Sequence, residues 1–195
     1  MANEQEPVEA IGETTQSLDL SKIEIVKLSE VYDISRFDCG DNDINEFLRN
    51  DALNYQKEKI AVTTLFIFEN NILGFCSLAS DAVKLERKTE EEKIRTELGR
   101  GYSEYPALKL ARFGRDKRFK KSGVGKFILN YVVGKAISLN DDAAIRFVSL
   151  DSYANRVEYY KGYGFVENLH RHYQERGERT ETFSMRLDLK FVYQS

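Results

Sequence analysis

The chain has 195 residues, 42% of them hydrophobic and 31% charged, with a formal net charge of −3. That length suits one domain with a sizeable core, and the composition is that of an ordinary globular protein. No apolar run approaches the ~20 residues needed to cross a bilayer, and no basic stretch followed by an apolar one opens the chain as a secretory signal would.

A cytoplasmic protein without membrane contact is therefore expected. Cys39 and Cys76 stand far apart and lack metal-ligand spacing, so they read as free thiols in a reducing compartment. No metal is expected.

Residues 1–20 form an acidic tail. Glu4, Glu6, Glu9, Glu13 and Asp19 occur there with no Lys or Arg and no hydrophobic periodicity, which predicts a disordered or loosely attached segment. A single domain is expected over residues 21–195. Ile23 to Leu28 reads as a first strand. From Asp43, the residues Ile44, Phe47, Leu48, Ala52 and Tyr55 recur at helical spacing, and Asp43 with Glu46 resembles a capping box. Val62 to Phe68 and Ile72 to Leu78 are β-branched and aromatic. Glu69, Asn70 and Asn71 lie between them and favour a left-handed turn, so a hairpin is expected.

Residues 81–105 read as a charged insertion, either a short surface helix or a loop. A strand runs from Pro106 through Phe113. An amphipathic helix follows Gly125, marked by Val124, Phe127, Ile128, Tyr131, Val132 and Ala136, and it ends at Asn140-Asp141-Asp142. Ile145 to Leu150 is the next strand, Asn155 to Lys161 a short helix, and Phe165 to Glu167 and Thr182 to Phe191 the last strands. The strand-helix-strand unit over 106–150 demands a parallel pair, whereas the hairpin is antiparallel. The fold class is therefore α+β or α/β, a mixed central sheet with helices on both faces.

One segment carries chemistry. Lys109, Arg112, Arg115, Lys117, Arg118, Lys120, Lys121 and Lys126 are opposed only by Asp116, and the run Lys120-Lys121-Ser122-Gly123-Val124-Gly125-Lys126 joins a strand to a helix. Glycines there let the backbone approach a ligand. Free N–H groups at the helix start and the flanking lysines favour an anion such as a diphosphate. The spacing is neither a Walker A loop nor Gly-x-Gly-x-x-Gly, since Ile128 stands where the third glycine would be.

The stretch from Ala111-Arg112-Phe113-Gly114-Arg115-Asp116 to Lys126 resembles the strand and pyrophosphate loop of the GNAT N-acetyltransferases. Lys120, Gly123 and Gly125 take the places of the family's Gln/Arg-x-x-Gly-x-Gly/Ala. Lys120 replaces the usual Gln or Arg, and Lys121 stands where many members have another glycine. The resemblance implies acetyl-CoA as acetyl donor, with its pyrophosphate cradled by the backbone from Ser122 to Lys126. It also implies a bulged strand at Phe113, Gly114 and Arg115 that holds the pantetheine arm, with Gly114 as bulge residue.

A second motif, Tyr159-Tyr160-Lys161-Gly162-Tyr163-Gly164-Phe165, is similar to the family's Tyr-x-x-x-Gly-Phe. By that match Tyr160 is the general acid for the departing thiolate. A phenol with an unperturbed pKa of ~10 suits an alkyl thiolate. Tyr159 is expected to face the core, and Asn155 to help position CoA.

The amine acceptor also needs a base, and no single carboxylate stands out. His170 and His172 lie in a charged polar stretch and read as surface residues. Phe37-Asp38-Cys39-Gly40-Asp41, followed by Ile44 to Leu48, resembles the opening of the TacT-like toxin branch. Its members acetylate aminoacyl-tRNA and pair with an antitoxin. The pI of about 5.6 is low for a protein that holds tRNA. The leading expectation is an amine acetyltransferase acting on a small molecule or a protein. The alternatives are the tRNA-directed toxin and a non-catalytic acyl-CoA-binding domain. Exposed edge strands make a homodimer a further expectation.

Overall fold

The computed structural model describes residues 18–85, 104–173 and 182–192. The tail through residue 17 and the charged segment 86–103 lie outside the described residues, so the expectations for them are not addressed.

The elements are β1 (Glu24–Lys27), α1 (Asn42–Glu46), α2 (Ala52–Lys57), β2 (Val62–Phe68), β3 (Asn71–Lys84) and β4 (Glu104–Arg115). After them come α3 (Val124–Leu139), β5 (Phe147–Tyr153), α4 (Val157–Lys161), β6 (Val166–Tyr173), β7 (Thr182–Asp188) and α5 (Leu189–Val192). A π-helical turn, Phe47–Asp51, joins α1 to α2. The strands form one sheet in the order β1-β2-β3-β4-β5-β7-β6. Among the described residues only β4 and β5 pair in parallel, which is the pair that the strand-helix-strand pattern demands.

Alternation along the strands divides the apolar residues between two faces. Phe66, Leu73 and Cys76 join Val124, Ile128, Leu129, Val132 and Ala136 of α3 in one core. Leu65, Ile67 and Phe75 join Phe37, Phe47, Leu48 and Ala52 in the other. Helices thus cover both faces, as the periodicities imply. The apolar positions of α3 fall four, one, three and four residues apart, so they form a single stripe. Burying such a side chain is worth about 1.5–3 kcal/mol each.

The structure departs from local sequence signals at the start of α1, at the facing ends of β3 and β4 and at the end of β7, and agrees with them at the hairpin turn. The N-cap of α1 is Asp41, whose carboxylate accepts from the Ile44 N–H at 3.3 Å. Asp41 has extended dihedrals, whereas Asp43 already lies inside the helix, so the capping box at Asp43 does not form. The hairpin turn places Glu69 at φ +47° and Asn70 at φ +60°, as a tight two-residue connection requires. Both strands flanking the charged segment run further than their apolar cores suggest. Residues 81–84 belong to β3 and 104–105 to β4, paired from Asp81–Ala107 to Lys84–Glu104. Finally, β7 stops at Asp188, and Leu189–Val192 turns into α5.

Candidate active site

The site begins with a mismatch between strands. Ser77 of β3 faces Arg112 of β4, but the next residue, Leu78, faces Leu110, so Ala111 is an extra residue. This bulge falls where β4 leaves β5. The parallel pairing runs from Ala107–Phe147 to Leu110–Leu150 and then stops. Beyond it β4 continues to Arg115 beside β3, while β5 continues to Tyr153 beside β7. The strands part, and a cleft of about 880 Å³ opens between them. The extra residue turns the local twist and ends the ladder, as bulges do.

The expected bulge residue, Gly114, is instead regularly paired with Phe75. It is glycine for a packing reason. A Cβ there would meet the Phe75 ring at 2.7 Å, Ile44 at 3.0 Å and Phe37 at 3.1 Å. Phe113, Gly114 and Arg115 all line the cleft, together with Arg112. The Arg112 guanidinium lies over the Phe47 ring at 5.3 Å and donates to the Ala111 carbonyl.

The loop from β4 to α3 is wound tightly. Asp116 caps a 3₁₀ turn at Lys117–Phe119. Ser122 donates its N–H and its hydroxyl to the Phe119 carbonyl. Lys121 sits at φ +66° and Gly123 at φ +85°, both left-handed. The position where relatives often carry glycine therefore keeps a glycine-like conformation with a lysine on it. Gly123 is the N-cap of α3 and offers no side-chain cap, which leaves the first amides of the helix facing outward.

Of this loop, Gly125 lines the cleft. Lys120, Lys121 and Lys126 are exposed beside it, Ser122 is half-buried and Val124 is fully buried in the core. Charge pairing thins the basic cluster. Lys109 meets Asp151 at 2.6 Å, Lys117 meets Asp38 at 2.6 Å and Arg118 meets Asp116 at 2.9 Å. No such partner is seen among the described residues for Lys120, Lys121 and Lys126.

Two tyrosines enter the cleft from α4, because only the short turn Ala154–Arg156 separates the helix from the end of β5. Tyr160 packs on Phe165 and Tyr159 and borders the core that α3 shares with the sheet. Burial pushes its phenol up to about 12, while Arg156 pulls it the other way. Its hydroxyl has no hydrogen-bond partner among the described residues. Tyr159, expected in the core, is 40% exposed and also lines the cleft. A Cβ on Gly125 would lie 2.9 Å from its hydroxyl. Helix α4 is only five residues long, and the hydroxyl of its outer tyrosine reaches the first turn of α3 at Gly125. Burial, followed by a hydrogen bond with Tyr163, raises the Tyr159 pKa.

Several lining residues carry no sequence signal of their own. Tyr153, at the end of β5, lines the cleft, and its pKa is raised by burial and then by Asp41 and Asp43. Asp41, Asp43, Glu46 and Asp51 add carboxylates to the lining. Asn155 is exposed in the turn Ala154–Arg156 and is not among the lining residues. His172 falls on β6, in register with Phe183. Among the described residues, no three His, Cys, Asp or Glu side chains gather as a metal set, and no helix is long and apolar enough to cross a membrane.

No family model and no curated protein matches the chain. Solved structures do. A Tyr-to-Phe mutant of KacT is 20% identical over 89% of this chain and 98% of its own, with a TM-score of 0.69. AtaT complexed with acetyl-methionyl-tRNAfMet is 19% identical, with 88% and 98% covered and a TM-score of 0.71. A Tyr-to-Phe mutant of the AtaT toxin, bound to the C-terminus of the antitoxin AtaR and acetyl-CoA, is 18% identical, with 89% and 97% covered and a TM-score of 0.65. The parted parallel strands, the loop at the start of α3 and the agreement over nearly the whole length of these neighbours lead to one conclusion: the chain has the GNAT fold, in the form it shares with KacT and the AtaT toxin.

Proposed function

We propose that the protein is an acetyl-CoA-dependent N-acetyltransferase whose acceptor is a primary amine, acting in the cytoplasm. The observation that carries this reading is the cleft itself. The parting of β4 from β5 leaves the backbone from Ala111 onward without a strand partner on that side among the described residues, next to the start of α3 and to Tyr160. A thioester arm needs such a groove, an anion site at one end and a proton donor at the other.

The fit to acetyl-CoA rests on three features. The volume is within the ~300–1,000 Å³ of small-molecule sites. The uncapped first turn of α3, with Lys120, Lys121 and Lys126 beside it, suits a pyrophosphate. Strand β4 offers peptide groups to an extended amide chain along Phe113, Gly114 and Arg115. Acetyl-CoA supplies the acetyl group as an activated thioester. Tyr160 holds a proton at Oη for the departing sulfur, as a phenol does at neutral pH, and its burial extends that protonated range upward. Arg112 and the carboxylates of α1 border the space left for the acceptor.

A second reading names the acceptor as the amino group of an aminoacyl-tRNA, with an antitoxin as partner. The likeness to AtaT complexed with acetyl-methionyl-tRNAfMet favours it. Arg112, Arg115, Lys120, Lys121 and Lys126 would be the cations available to a nucleic acid.

The test is to incubate the protein with radiolabelled acetyl-CoA and, separately, small amines, proteins and charged tRNA, with Tyr160→Phe as control. Label should appear in one fraction. Tyr160→Phe should bind CoA about as tightly while turning over at least ~10-fold more slowly. Label in charged tRNA selects the second reading. CoA binding without transfer to any fraction would leave a binding domain and overturn the enzyme assignment.

A further inference from the structure

The most heavily bonded charge near the cleft does not line it. Asp116 is 1% exposed. Its Oδ1 accepts from the Arg118 backbone N–H at 2.9 Å and from Arg118 Nε at 3.0 Å, and its Oδ2 accepts from Arg118 Nη2 at 2.9 Å and from the Asp38 N–H at 3.2 Å. Burial alone would raise the pKa of this carboxyl, but the bonds from Arg118 and the Asp38 N–H outweigh it, and the pKa is lowered.

The second half of the assembly mirrors the first. The Asp38 carbonyl accepts from the Lys117 N–H at 2.8 Å, and its carboxylate meets Lys117 Nζ at 2.6 Å. The same carboxylate accepts from the Gly40 N–H and from Asn45 Nδ2, each at 2.8 Å. Asn45 belongs to α1 and is 4% exposed, and its carbonyl oxygen takes the Cys39 N–H at 2.9 Å. Two aspartates 78 residues apart thus join two loops. One loop leads into α1, the acceptor side of the cleft. The other winds directly into Lys120–Gly123 and α3.

We infer that Asp116, with Arg118 and Asp38, is a positioning clasp that holds the loop before α3 in its anion-binding shape and fixes it to the helix walling the acceptor side. This rests on the reading of that loop as the CoA pyrophosphate site. Asp116 touches no substrate and acts through the loop. Arg118 and Lys117 are therefore structural cations rather than phosphate ligands. An aspartate is required because both carboxylate oxygens accept, and an asparagine would turn a donor toward either the Asp38 N–H or Arg118.

The experiment measures CoA affinity by calorimetry for wild type, Asp116→Asn and Arg118→Lys, alongside thermal unfolding and amide hydrogen exchange. Folded Asp116→Asn should bind CoA roughly tenfold more weakly, the consequence of losing charge-assisted bonds that shape the loop. Arg118→Lys keeps the charge but loses the fork and should fall between the two. Exchange should rise together in residues 117–123 and 38–40. A role in stability alone would lower the melting temperature and leave CoA affinity of the folded protein unchanged, which overturns the clasp. Should Asp116→Asn not fold, unchanged affinity in Arg118→Lys overturns it equally. Wild type that fails to bind CoA would refute the cofactor reading itself, a separate result.

Discussion

Tyr159 and Tyr160 are adjacent in sequence and differ in surroundings. Tyr160 is tucked against Phe165 at the edge of the core, and Tyr159 stands in the cleft with its hydroxyl over Gly125. The resemblance of this segment to the Tyr-x-x-x-Gly-Phe motif singles out Tyr160, but nothing local places Tyr159, because its position depends on where α3 starts. The raised pKa of Tyr160 has a testable sign. A general acid works while protonated, so a pKa moved from 10 to about 12 extends its working range upward. Turnover at saturating substrates should show no loss from this group through pH ~10. A fall centred near pH ~10 in wild type that disappears in Tyr160→Phe would contradict the buried phenol. The same shift acts on stability in the opposite sense. Above pH ~10 the unfolded chain releases this proton and the folded one does not, so stability falls as pH rises past that point.

At the scale of elements, the loop from β4 to α3 shows how far local signals reach. Gly123 and Gly125 mark a ligand loop. The reasons they are glycines differ: Gly123 adopts φ +85°, and Gly125 leaves room for a tyrosine. Lys121 is the exception, an exposed lysine held at φ +66°. Left-handed dihedrals cost a residue with a Cβ about 1–2 kcal/mol. Lys121→Gly should relieve that strain, offset in part by the greater freedom of glycine in the unfolded chain. The expected outcome is a gain of up to ~1 kcal/mol, or a melting temperature higher by about 2–4 °C, read by thermal unfolding. A lower melting temperature would mean that the lysine side chain itself anchors the loop. Strand lengths are less legible than strand positions. The charged residues at 81–84 and 104 mask a ladder held by backbone bonds, which polar side chains do not interrupt.

Across the molecule, one sheet serves two cores. Leu65 and Phe66 are neighbours, both fully buried, yet they pack on opposite faces against different helices. Truncating either leaves a cavity against a shared backbone. Leu65→Ala should cost about 2–5 kcal/mol, and the two faces should still unfold together. Urea unfolding followed by far-ultraviolet dichroism and by tyrosine fluorescence checks this. Separated transitions would show that the faces are independent.

The sequence by itself determined the order of the strands and main helices, the mixed sheet, the hairpin, the apolar stripe of α3 and the glycine-bearing loop, since each depends on periodicity or turn chemistry within a few residues, while Tyr160 was singled out by the resemblance of its segment to a family motif. Tertiary structure alone decided the bulge at Ala111, the parting of β4 from β5, the place of Tyr159 and the pairing of Asp38 with the loop at Asp116. The reason is distance along the chain. Those features come from strands and loops brought together over roughly 30 to 80 residues, where register and packing, not local preference, choose the partner.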